Sequence, residues 1–86
     1  MGYTLWIKKD AKKTLQKLPR TTRNRIAEKI KQLGDDPDDI KLDIKILQGQ
    51  AFYRLRVGDW RVIFDRNEEV KIIAIEKVKA RGGAYK

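Results

Sequence analysis

The sequence predicts an α+β fold: two N-terminal helices packed on a small twisted antiparallel sheet, in the order β-α-α-β-β-β, with room for one further strand. Three observations carry this. Residues 10–34 hold two short amphipathic stretches, separated at Pro19. Residues 52–64 alternate apolar and polar side chains on either side of Gly58-Asp59, the composition of a tight hairpin. Residues 70–78 are apolar at positions of both parities, as in a strand buried on two faces. Residues 1–86 suffice for one domain and no second.

Each element has its own local reason. Tyr3, Leu5 and Ile7 alternate with Thr4, Trp6 and Lys8, which reads as a strand. Asp10 offers an N-cap, and Ala11, Leu15 and Leu18 then share one helical face. Pro19 ends that helix. Thr21 or Thr22 caps the next, whose stripe is Ile26, Ala27, Ile30 and Leu33, with Gly34 as its C′ residue. That stripe is core first, with an exposed edge suited to a partner helix. Asp35-Asp36-Pro37-Asp38-Asp39 reads as a solvated turn, since its spacing is not that of a calcium loop. Residues 40–47 are weakly patterned, residues 48–50 form a turn, and residues 79–86 form a basic tail.

Within the hairpin, Tyr53, Leu55 and Val57 share one face. Arg54 and Arg56 share the other, about 7 Å apart, roughly the phosphate spacing of an extended nucleic-acid strand. Arg61 reaches them across the ladder if the register places it on that face. A solvated sheet face is the plain reading of such arginines. The charge balance favours the other. Twenty-one Lys and Arg oppose twelve Asp and Glu, for a net charge of +9. That suits a nucleic acid or another polyanion.

Composition also excludes chemistry. The chain has no cysteine and no histidine, so thiolate catalysis, disulfides and the commonest metal ligand are gone. No apolar run approaches the roughly 20 residues that span a bilayer. No secretory h-region is seen, and a cytoplasmic protein without membrane contact is expected. Trp6 and Trp60 read as core or sheet-packing aromatics rather than base platforms.

Several pieces together carry a family likeness. Lys17-Leu18-Pro19 closes the first helix, and Leu47-Gln48-Gly49 precedes the hairpin. Tyr53-Arg54-Leu55-Arg56 and Gly58-Asp59-Trp60-Arg61-Val62-Ile63-Phe64 follow, then Arg81 four residues before Tyr85. In that order the chain resembles the RelE/ParE superfamily of toxins from type II toxin–antitoxin systems, and its RelE-like branch with the RelE-like microbial RNase fold. The resemblance implies a metal-free, cofactor-free endonuclease acting on mRNA in the ribosomal A site. It implies a cognate RelB-like antitoxin held in a heteromeric complex. It also implies roles. Arg61 would stabilise the charged phosphate, with Arg81 as a second basic group. Tyr85 would serve in proton transfer. Arg56, Lys77 and Lys79 would hold RNA. Arg54 and Arg56 stand where relatives carry lysines, one of them proposed as general base. Arginine stays protonated, so Arg54 is assigned to charge stabilisation. The alternatives are a ParE-like inhibitor of DNA gyrase and a catalytically inactive RNA-binding relative.

Overall fold

The computed structural model describes residues 2–47 and 52–80. Its elements are β1 (Thr4–Ile7), α1 (Lys9–Lys17), α2 (Arg20–Asp35), β2 (Asp43–Ile46), β3 (Tyr53–Val57), β4 (Trp60–Asn67) and β5 (Ile72–Ala80). The five strands form one sheet in the order β1-β5-β4-β3-β2. The α+β architecture is as expected, and β5 is interior, flanked by β1 and β4. One pairing departs from an all-antiparallel sheet: β1 runs parallel to β5, with Leu5 opposite Ile73 and Ile7 opposite Ile75. No hairpin ties these two strands, so turn geometry does not set their direction.

The core lies between the helices and one face of the sheet. Leu55, Val57, Val62, Phe64, Ile73, Ile75 and Val78 meet Ala11, Leu15, Ile26, Ile30 and Leu33 there. Tyr53 stacks on Phe64, with ring centroids 5.3 Å apart. Fully burying each large aliphatic side chain stabilises the fold by about 1.5–3 kcal/mol. Strand alternation therefore commits the opposite parity of β3 and β4, including Arg54, Arg56 and Arg61, to the far face.

The helix termini differ from the sequence reading. Asp10 lies within the first turn of α1, where its charge complements the helix dipole, and Lys8 precedes the helix without a side-chain cap. Thr21 and Thr22 also lie inside α2, which starts directly after Pro19. The fixed φ of proline, −55° here, sets the chain for a helix. Leu18 before it is extended, as a residue preceding proline prefers. Gly34 is helical rather than C′. A Cβ there would meet Leu5 Cγ at 2.8 Å, and the Gly34 carbonyl accepts the Tyr3 N–H at 2.7 Å. Close approach of α2 to β1 is what requires this glycine. The weakly patterned segment contains β2, an edge strand whose Ile46 is exposed.

The acidic turn has a structural role. Arg66 donates to both carboxylate oxygens of Asp38, at 2.9 and 3.1 Å, and to the Tyr3 hydroxyl at 3.2 Å. Arg66 also pairs with Glu68, which accepts from the Tyr3 hydroxyl at 2.7 Å. The guanidinium thus ties the segment after α2 to β1 and to the β4–β5 turn. Trp6 is 59% exposed rather than packed in the core. Among the described residues no helix is long and apolar enough to cross a membrane.

Candidate functional site

The β3–β4 hairpin turns through Gly58-Asp59, with Val57 paired to Trp60. Gly58 has φ +59°, and Lys71 is the one non-glycine among the described residues with positive φ. Positive φ at the first central position alone is the mark of a II′ turn, which matches the twist of the flanking strands. This turn fixes the register, and the register fixes the site. Arg56 stands directly opposite Arg61, and Arg61 directly opposite Lys79 on β5. On the other side Arg56 faces Asp43 on β2. One row across four strands therefore reads Asp43, Arg56, Arg61, Lys79. Two residues along β3, the next row on the same face reads Lys45, Arg54, Ile63, Lys77.

Strands are about 4.8 Å apart and same-face neighbours about 7 Å apart, so these cations form a dense array. Arg54, Arg56 and Arg61, with Gly58 and Trp60, line a cavity of about 160 Å³. Lys77 and Lys79 stand beside it on β5, both exposed. The Arg54 side chain is only 14% exposed. It donates to Asp43 at 3.3 Å. Its Nε is buried and has no hydrogen-bond partner among the described residues. Arg56 Nε reaches the Gly58 carbonyl at 3.5 Å. Planar guanidinium forks around one small cavity are suited to a tetrahedral oxyanion. Each fork donates two hydrogen bonds and keeps its charge.

The structure thus brings together five of the seven residues singled out from the sequence: Arg54, Arg56, Arg61, Lys77 and Lys79. The expectations on Arg81 and Tyr85 fall outside the described residues. Lys79 was placed in a tail; it lies within β5, held in the ladder opposite Arg61. Trp60 lines the cavity while packing its other side against the core. Asp43 was missed, because it sits on the strand that the weak pattern of residues 40–47 concealed. Its only sequence signal was a carboxylate one residue before Ile44 in an otherwise basic neighbourhood.

Comparison with known proteins places this geometry among relatives. The family described as the ParE toxin of type II toxin–antitoxin systems, parDE, matches residues 5–85. A protein named RelE1 from Methanocaldococcus jannaschii is 36% identical over 100% of this chain and 98% of its own length. The toxin in an archaeal RelE–RelB complex from Pyrococcus horikoshii OT3 superposes with a TM-score of 0.83 at 39% identity. That match covers 98% of this chain and all of the other. A chain of the RelB–RelE antitoxin–toxin complex from Methanococcus jannaschii gives 0.74 at 30% identity, covering 93% and 94%.

Proposed function

Since the chain belongs to the ParE toxin family of type II toxin–antitoxin systems, within the RelE/ParE superfamily, we propose that it is a RelE-type toxin that cuts mRNA on the ribosome and so inhibits translation. The observation that carries this reading is the three-arginine cavity on the solvent face of the sheet. In metal-free RNA cleavage the 2′-hydroxyl attacks the adjacent phosphorus. A new P–O bond forms, the bond to the 5′-oxygen breaks, and a 2′,3′-cyclic phosphate and a 5′-hydroxyl result. The phosphorane between them carries extra negative charge, and fixed cationic donors lower its energy selectively. Arg61, at the centre of the row, takes that role, with Arg54 and Arg56 holding the non-bridging oxygens. Lys77 and Lys79 neutralise the neighbouring phosphates.

Proton transfer needs a different group. The three arginines stay protonated, so they donate and do not accept. We assign proton transfer to Tyr85, with Arg81 as a further cation near the cleaved bond. Both follow from the match of their positions to the family pattern. The partner is a RelB-like antitoxin, since RelE relatives at 39% and 30% identity were solved in complex with RelB. The complex would act in the cytoplasm.

Mapping mRNA 5′ ends after induction without antitoxin tests this. New ends inside translated codons that vanish when translation is blocked are expected. Arg61→Ala and Tyr85→Phe should each remove them. Persistent cutting by both variants would refute the site assignment. A second reading rests on a specific observation: the matching family is described as ParE, and arginine replaces lysine at position 54. It predicts growth arrest with blocked gyrase supercoiling and no new mRNA ends.

A further inference from the structure

Beside the arginine cavity, on the same sheet face, lies a second concavity of about 240 Å³ lined by Leu47, Phe52, Ile63, Glu76, Lys77 and Lys79. Its floor is apolar in an otherwise charged surface. Ile63 pairs with Arg54 on one side and Lys77 on the other. The Leu47 N–H donates to the Phe52 carbonyl at 2.9 Å, which sets these two side by side at the ends of β2 and β3. None of the three belongs to the core cluster, which sits on the opposite face. A water-facing sheet face ordinarily carries polar residues at such positions. The fold does not need these apolar groups there.

The rim is equally specific. The β4–β5 register shifts between Ile63 and Phe64: Ile63 pairs with Lys77 and Phe64 with Ile75. Glu76 is the extra residue of this bulge. Regular alternation would send Glu76 and Lys77 to opposite faces, whereas here both line the same concavity. Lys8 holds the Glu76 carboxylate at 3.0 Å. A carboxylate has about four acceptor sites, so an ion pair leaves it able to accept further hydrogen bonds.

We propose that this concavity binds a nucleobase of the substrate strand, stacked on Phe52 and selected by Glu76 for an exocyclic amino group. The inference rests on the RNA-cleaving reading and adds a base subsite to it. Spacing supports this occupant. Phe52 and Arg54 leave the same face of one strand about 7 Å apart, close to the repeat of one extended nucleotide. A phosphate among Arg54, Arg56 and Arg61 therefore places a neighbouring base over Phe52. Aromatic stacking accepts every base face. Glu76 discriminates, because cytosine N4 and adenine N6 donate where uracil O4 only accepts.

The test is an NMR titration of the purified chain with CMP, UMP and inorganic phosphate at matched ionic strength. CMP should bind more tightly than UMP and shift the Phe52 and Ile63 amides. Phosphate should shift the Arg54, Arg56 and Arg61 amides and leave the Phe52 amide in place. Phe52→Ala should weaken CMP by roughly 5- to 140-fold, the range of one aromatic stack, without changing the phosphate titration. Phe52→Tyr, which keeps the ring, should retain CMP affinity. Glu76→Gln should bring UMP up to CMP, which tests the pocket even if Phe52→Ala fails to fold. Equal binding of CMP, UMP and phosphate, with no shift at Phe52, would overturn the proposal. So would shifts there caused only by an antitoxin peptide. Failure of the cleavage reading is separate: it shows as absent mRNA ends from the unmodified chain, whatever the nucleotides do.

Discussion

Replacing Arg61 by Gln should stabilise the folded chain while removing its activity. Arg61 faces Arg56 on one side of the ladder and Lys79 on the other. Like charges directly opposite in a sheet are destabilising. At about 6 Å in a water-like dielectric each repulsion is about 0.7 kcal/mol, so the two together reach about 1.4 kcal/mol. Screening at physiological salt, with a Debye length of about 8 Å, reduces this by about half. The expected gain is then about 0.6 kcal/mol, or about 2–5 °C in Tm for a domain of this size. The assay is thermal unfolding of both proteins at about 0.02, 0.15 and 1 M salt, where the screening length falls to about 3 Å at the highest. The Tm gain should be largest at low salt and shrink severalfold by about 1 M. A lower Tm for Arg61→Gln at low salt, or a gain indifferent to salt, would show that the row is not a repulsive array. Function would then not be what maintains so many cations in one row at a cost in stability.

Other substitutions probe the framework that presents the array. Gly34→Ala forces a Cβ to within 2.8 Å of Leu5 Cγ. Overpacking costs about 1–3 kcal/mol against a helix-propensity gain of about 1, so urea unfolding should show net loss, reversed to a gain in a Leu5→Ala background. Gly58→Ala should destabilise by about 1–2 kcal/mol, because φ +59° sets Cβ against the carbonyl. The same variant should weaken phosphate binding, since that turn sets the register of Arg56 and Arg61. Stability should also fall in acid. The Arg66 guanidinium holds the Asp38 carboxyl below its ordinary range, and the Tyr3 hydroxyl, then Arg66, do the same for Glu68. A depressed folded pKa contributes stability above the unfolded value and loses it as pH falls through the folded one. Tm should therefore be level from about pH 7 to 5 and drop below about pH 4, less steeply in Asp38→Asn.

The sequence made the arginine face legible because period-two alternation needs only a fixed parity, and the buried partners Leu55, Val57, Val62 and Phe64 supply it. The Gly58-Asp59 turn was legible too, but the face taken by Arg61 depended on the register, which the structure supplies by pairing it with Arg56. What escaped was non-local. β2 is four residues long at a sheet edge, with Ile46 exposed, so its alternation was too weak to stand out. Asp43 and its pairing with Arg54 were lost with it. Gly34 looked like a helix terminator because its true constraint, the approach of Leu5, comes from a strand about thirty residues away in the chain. The bulge at Glu76 was hidden for the same reason, since an extra residue in a strand is defined only by its partner.

The place of β5 in the sheet governs when this protein becomes itself. It is the last strand of the described chain, yet it is inserted between β1 and β4, pairing Ile72 with Thr4 on one edge and with Asn67 on the other. A polypeptide leaves the ribosome from its N-terminus, so β1 and both helices emerge before the strand that joins them to the hairpin exists. Joining the two ends also requires closing nearly the whole chain into a loop, a late and slow event in folding. The nascent chain therefore exposes half of a sheet at β1 and half at β4, and the cationic row stays incomplete until Lys77 and Lys79 arrive. On the proposed reading, in which the folded toxin acts on translating ribosomes, the chain is in this way silent toward the one that is making it.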